Sequence, residues 1–192
     1  MTIMLLKNKV IAFPALAEPQ AIGDGEPAYG GRLIIKPDDA DVKAIDAALL
    51  AVATAKWKDD GAAVLALLTE EKRVAFEKSA YRNKKTTKVY DGFEGSYSLG
   101  TRNPKAQPSV FDQYNKEVVG KSPIERLIYS GAKVHAKVEF WAQDNSFGRR
   151  INCSLLGVMF AGDGERFGGG SAPASKDDFS DLASAGDPEG VL

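Results

Sequence analysis

Between Tyr81 and Phe93 the chain reads YRNKKTTKVYDGF, with Arg82, Lys84, Lys85 and Lys88 set among the rings of Tyr81, Tyr90 and Phe93. Cations and flat rings are the two ingredients that hold an unpaired nucleic-acid strand. The cations meet phosphates, and each ring offers a face on which a base stacks. The wider window from Lys72 to Lys88 sets seven basic side chains against Glu77 alone, a net charge of +6. The last segment, Ser171 to Leu192, sets Asp177, Asp178, Asp181, Asp187 and Glu189 against Lys176, a net −4. The formal total of −1 is therefore an average over opposite segments, and the 170 residues before the tail carry about +3. Such asymmetry is a common footprint of polyanion binding, although a charge run alone is most often a solvated surface.

Other chemistries find less to work with. Cys153 and His135 are the sole residues of their types, which excludes an internal disulfide and the Cys/His clusters of structural zinc sites. A nucleophilic pair of Cys153 and His135 stays formally open. The plainer expectation is a core thiol and a histidine on a polar face, since both lie in strand-like runs. No GxxxxGK[ST], HExxH or GxSxG pattern occurs, and GDGERFGG has glycines at the wrong spacing for a dinucleotide site. No cofactor or metal is expected. Asp91 and Glu94 beside Lys88 leave a metal-dependent nuclease as the enzymatic alternative. A structural or adaptor protein meeting an acidic protein partner is the other. No run approaches the roughly 20 apolar residues of a membrane span, and the lysines of MTIMLLKNKVIAF follow its short apolar run instead of preceding it, unlike a secretory signal. A lone cysteine fits a reducing, intracellular home.

The elements that must carry the cations are mainly β. Leu6 to Phe13 suits a strand closed by Pro14, and RLIIK a second one ending at Pro37. Val42, Ile45, Leu49 and Val52 recur at helical spacing after a cap at Asp38 or Asp39. A second helical region, AAVLALLTEEKRVAFEKSAY, leads into the cationic run. EGSYSLGTR and VFDQYNKEVV then read as short β segments. From Ala132 to Ala142 apolar residues alternate with Lys133, His135, Lys137, Glu139 and Trp141, so one face is core and the other polar. INCSLLGVMF is its hairpin partner, with Arg149 and Arg150 at the mouth. Beyond Phe160 the sequence is dominated by Gly, Ala and Ser, and nothing there is expected to bury a core.

The chain length allows one sizeable domain. We expect a small five-stranded barrel over residues 1–168, a helical insertion over about 39–80, and a flexible acidic tail over 169–192. Phosphate contacts are expected from Arg82, Lys84, Lys85, Lys88, Arg102, Lys133, Lys137, Arg149 and Arg150, and stacking from Tyr90, Phe93, Tyr97, Tyr114 and Trp141. Tyr97 and Tyr114 read equally well as half-buried core residues. In the tail, Asp177, Asp178, Phe179, Asp181 and Leu182 imitate a nucleic-acid strand, with carboxylates for phosphates and a ring for a base. They equally suit docking on basic pockets of partner proteins.

FPALAEPQAIGDGEPAYGGRLIIKPDD, IYSGAKVHAKVEFWAQDN and SLLGVMFAGDGERFGGG, followed by an acidic DDF tail, resemble the phage-encoded single-stranded DNA-binding proteins over about Lys9 to Asp181. That resemblance implies an oligonucleotide/oligosaccharide-binding (OB) fold. It also implies binding of single-stranded DNA without sequence preference in phage replication, recombination or repair, in the cytoplasm of the infected bacterium. Partners would be the DNA, replication or recombination proteins met through the tail, and possible further copies of the chain. The sequence departs from the family pattern at Tyr129-Ser130-Gly131, where Tyr-Pro-Gly is usual, and in its longer alanine-rich helix.

Overall fold

The computed structural model describes residues 1–21 and 25–168. Its clearest alternation is the expected one. In β6 (Lys133–Asn145), Val134, Ala136, Val138 and Phe140 point into the core, and Lys133, His135, Lys137, Glu139 and Trp141 face outward. Around β6 run β1 (Thr2–Gln20), β2 (Ala28–Ile35), β3 (Phe76–Glu77), β4 (Tyr97–Asn103), β5 (Ser109–Phe111) and β7 (Gly148–Gly162), joined in the order β3-β4-β2-β1-β6-β7-β5.

Five of these strands, β1, β2, β4, β6 and β7, form an OB barrel. Its closing seam is the stretch Arg73 to Glu77. Gly100 N–H donates to the Ala75 carbonyl at 2.9 Å, Ala75 N–H to the Ile151 carbonyl at 2.8 Å, and Ile151 N–H to the Arg73 carbonyl at 3.1 Å, so this stretch stitches β4 to β7. Closure removes the open edges that a free sheet would expose. The sequence suggested that the second helical region runs on through this stretch, and the structure corrects that. Helix α2 (Gly61–Glu70) ends at Glu70, and Val74 and Phe76 then enter the barrel core. Burial of those two side chains outweighs the helix preference of the Glu, Lys and Ala residues around them.

Helix α1 (Asp41–Trp57) buries Ile45, Ala48, Leu49, Val52 and Ala53, the face its spacing predicts, and α2 adds Val64 and Leu68. The two pack so closely that a side chain on Gly61 would meet the Thr54 Cα at 2.6 Å. Of the two candidate caps, Asp39 engages the helix start, its carboxylate accepting the Asp41 backbone N–H at 2.9 Å. The same carboxylate and that of Asp41 clasp Lys9 of β1, only 6% exposed, at 2.5 and 2.9 Å. Burial alone would lower the Lys9 ammonium, but the two carboxylates prevail and hold it above its ordinary value. Burial likewise works against the Asp39 carboxylate, which Lys9 and the Asp41 N–H hold below its usual range.

Two further expectations change. The first strand does not stop at Pro14: β1 continues to Gln20 through a register shift between Ala12 and Ala15. Of VFDQYNKEVV only Val110 and Phe111 lie in β5, because Asp112 turns the chain by accepting the N–H groups of Tyr114 and Lys116. A short helix, α3 (Lys121–Leu127), follows and packs on β1, with Ile124 buried. Cys153 is buried, and burial pushes its thiol well above its ordinary value. His135 lies on the outer face, where its Nδ1 accepts the Asn8 N–H at 3.1 Å, so the two do not form a nucleophilic pair. Among the described residues no helix is long and apolar enough to cross a membrane, and no group of three or more His, Cys, Asp or Glu is placed to hold a metal.

Candidate nucleic-acid interface

The cationic run folds into a finger. Arg82 and Val89 pair as an antiparallel bridge, Asn83 N–H donates to the Lys88 carbonyl at 2.8 Å, and Thr87 N–H donates to the Asn83 carbonyl at 2.8 Å. The Asn83 side chain fills the turn, its Oδ1 accepting the N–H groups of Lys85 and Thr86 at 2.9 and 3.0 Å. This is the ordinary local use of Asn in a turn. Arg82, Lys84, Lys85 and Lys88 are all exposed on this finger. None of the four is in an ion pair with any described residue.

The rings flanking the run serve as its mount. A second apolar cluster lies on the outside of the barrel, where Ala12, Ile34 and Phe93 are sealed beneath Val10, Ala80, Tyr81, Val89, Tyr90 and Phe167. Tyr81 and Tyr90, at the two roots of the finger, stack with centroids 5.2 Å apart. The Arg32 guanidinium of β2 sits 3.6 Å from the Tyr81 ring centre and donates to Ser98 Oγ at 2.9 Å. The Asn83 amide reaches the Tyr90 hydroxyl at 3.0 Å, tying the tip to the root. A finger that keeps four like charges together needs such a mount, because their repulsion opposes ordering.

Phe93 is 0% exposed, so it cannot receive a base; it is the floor of the mount. Tyr97 packs inward as well, edge-on to Phe76 at 5.9 Å against the main core. Tyr114 is 81% exposed beyond β5 and takes part in no ring contact among the described residues. Trp141 is half-buried on the outer face of β6, its indole N–H donating to Ser154 Oγ at 3.0 Å, in the same row as exposed Lys133 and Lys137. At the hairpin mouth Arg149 pairs with Asp144 at 3.5 Å, and Arg150 is exposed. Arg102 of β4 is held to the Glu26 carbonyl.

The stretch after Phe160 also differs from expectation. β7 extends to Gly162, and residues 163–168 latch onto the turn at Tyr129-Ser130-Gly131. The Tyr129 hydroxyl donates to Asp163 at 2.8 Å and accepts the Gly164 N–H at 3.1 Å. The Arg166 guanidinium lies 3.7 Å from the Tyr129 ring centre, and Phe167 N–H donates to the Ser130 carbonyl at 3.1 Å. Burial and the Asp163 carboxylate raise the Tyr129 phenol above its ordinary value despite the Gly164 bond, which keeps its proton in place for that donation. A Cβ on Gly131 would meet the Glu165 carbonyl oxygen at 1.8 Å. The glycines therefore permit backbone-to-backbone packing, which composition alone reads as a lack of structure. Phe167 then rests against Gly92, and Gly168 N–H donates to Asp91 at 3.4 Å, so the chain leaves the barrel beside the finger. The tail candidates Asp177, Asp178, Phe179, Asp181 and Leu182 lie outside the described residues.

A family model described as the Enterobacter phage Enc34 ssDNA-binding protein matches residues 2–189. The chain belongs to that family. Protein p50 of Acyrthosiphon pisum secondary endosymbiont phage 1 is 32% identical over 188 residues, covering 96% of each chain. The single-stranded DNA-binding protein from bacteriophage Enc34, solved in complex with ssDNA, superposes with a TM-score of 0.69 at 27% identity, covering 86% of this chain and 89% of that one. Bacteriophage T7 gp2.5, a single-stranded DNA-binding protein, shares the fold at a TM-score of 0.56 and 15% identity, with 99% of each chain covered.

Sequence reasoning missed three parts of this site: Phe13, Arg32 and Phe167. Arg32 left a trace, as a charged residue inside the apolar strand AYGGRLII. Phe13 was visible as the end of a strand and at the head of the FPALAEPQ stretch that carries the resemblance, and in neither place as a ring beside the finger.

Proposed function

We propose that this chain binds unpaired DNA without sequence preference, shielding it during phage replication, recombination or repair in the cytoplasm of the infected cell. The finger carries the reading: four cations that pair with no acid among the described residues, held together on an aromatic mount, suit a phosphate backbone. Membership of the family, and a relative solved with ssDNA, support the same conclusion. Lys133, Lys137, Arg102 and Arg150 are further exposed cations that could extend the track, and Trp141 offers a partly open ring beside them. The action is occupancy: phosphates are neutralised, counterions are released, and bases are kept from reannealing. The acidic tail, residues 169–192, competes for the finger until DNA displaces it, and it offers Phe179 as an anchor for replication or recombination proteins.

The test is a salt titration with oligo(dT), followed through Trp57 and Trp141 fluorescence. Each phosphate contact contributes about 0.7 to the slope of log affinity against log salt for single strands. Replacing both Lys84 and Lys85 by alanine is expected to lower the slope by about 1.4, and deleting residues 171–192 to tighten binding. A wild-type chain that ignores oligo(dT) at low salt would overturn the reading.

A further inference from the structure

The outer aromatic cluster has one ring left over. Phe93 is sealed, Tyr81 is held between Arg32 and Tyr90, and Phe167 rests on Gly92. Phe13 touches three of its neighbours and still stands 47% exposed. Its ring meets Tyr90 edge-on at 5.0 Å and Tyr81 edge-on at 6.2 Å, and lies near-parallel to Phe93 at 6.5 Å. Three contacts in different directions fix its orientation. Phe147 and Tyr114, each 81% exposed, have no ring contact among the described residues to do the same.

The backbone of Phe13 is equally unusual. Its φ is +51°, in the left-handed region that a bulky residue rarely adopts. The position lies between Ala12 and Ala15, where the β1 register shifts, and glycine is the common occupant of left-handed positions in β-bulges. Its N–H donates to Ser130 Oγ at 3.2 Å, so the latch turn helps to hold this conformation. A glycine would take this backbone without strain, yet the position holds a large apolar ring that stands half in water. Strain kept under those terms points to function.

We propose that Phe13 is the platform on which an unpaired nucleobase stacks at the root of the cationic finger, with the adjoining phosphates on Arg82, Lys84, Lys85 or Lys88. The bulge turns the ring outward, the mount rings set its plane, and the finger supplies the charge beside it. The inference rests on the single-strand reading given above, and the test separates the two.

Affinity is measured by fluorescence anisotropy for labelled oligo(dT) and for a strand of equal length built from abasic deoxyribose phosphates. The variants are Phe13→Gly, which suits the positive φ, Phe13→Leu, Phe13→Trp and, as a charge control, Lys85→Glu. Phe13→Gly and Phe13→Leu are expected to lose about 5- to 150-fold on oligo(dT), the range of one base stack, and nothing on the abasic strand. Phe13→Trp is expected to keep its affinity, and Lys85→Glu to lose on both strands. If wild-type protein binds oligo(dT) while both ring-less variants bind equally well, or lose equally on the two strands, Phe13 is not a stacking platform and the single-strand reading stands. If wild-type protein fails to bind oligo(dT) at low salt, both fall.

Discussion

The barrel interior and the outer aromatic cluster are built from similar side chains and do different work. Inside, Leu6, Ile11, Leu33, Leu99, Val138, Phe140 and Leu155 are sealed from every side, and each element of the sheet contributes. Outside, only Ala12, Ile34 and Phe93 are sealed among the described residues, and the rings above them keep one edge or face in water. The cations divide in the same way. Lys9 is buried between two carboxylates, whereas the finger cations have no acidic partner among the described residues. The first region devotes its apolar groups to stability, and the second to holding charges and a ring at the surface, where the proposed DNA strand would meet them.

The sharpest way to break the comparison is to empty each region in turn. Phe140→Ala, in the barrel, is expected to cost about 3–5 kcal/mol, read by denaturant unfolding, while the protein that remains folded binds DNA normally. Tyr81→Ala, in the mount, removes the stack with Tyr90 and the Arg32 contact. It is expected to cost about 1–2 kcal/mol and also to weaken binding and flatten the salt slope. A Tyr81 variant that loses stability without losing affinity would make the outer cluster a mere extension of the core.

Lys9 provides the smallest and most condition-dependent contrast. The Asp39 carboxylate is held low, so its contribution is present above the unfolded carboxylate value and is lost as pH falls through the folded one. The Lys9 ammonium is held high, so its contribution is present below the unfolded lysine value and is lost as pH rises through the folded one. Melting temperatures of wild type and Lys9→Met are therefore expected to differ most between about pH 5 and 10 and to converge at both extremes. A difference that is flat across pH would show that Lys9 contributes through its packed stem and not its charge.

The sequence made the cations legible and the rings ambiguous, for a physical reason. Arg82, Lys84, Lys85 and Lys88 are neighbours in the chain, and a six-residue turn keeps them neighbours in space. Whether a ring is floor, wall or platform depends on strands that pair across the molecule, so Phe93 and Tyr97 read like Tyr90 until the sheet is closed. The α1 face and the β6 alternation were readable because their periods are local. Arg73 to Glu77 was not, since its helix-forming residues are overruled by a seam between β4 and β7. The glycine-rich latch was hidden because its backbone and side chains meet partners far away in the chain, Tyr129 and Ser130 above all.

The latch brings the last described residue, Gly168, to Asp91 beside the finger. The proposed competition between the acidic tail and DNA would therefore be intramolecular. Its strength would be fixed by chain connectivity and not by how much protein is in solution. Dilution would leave such self-occupancy untouched, whereas binding by a neighbouring molecule would fade.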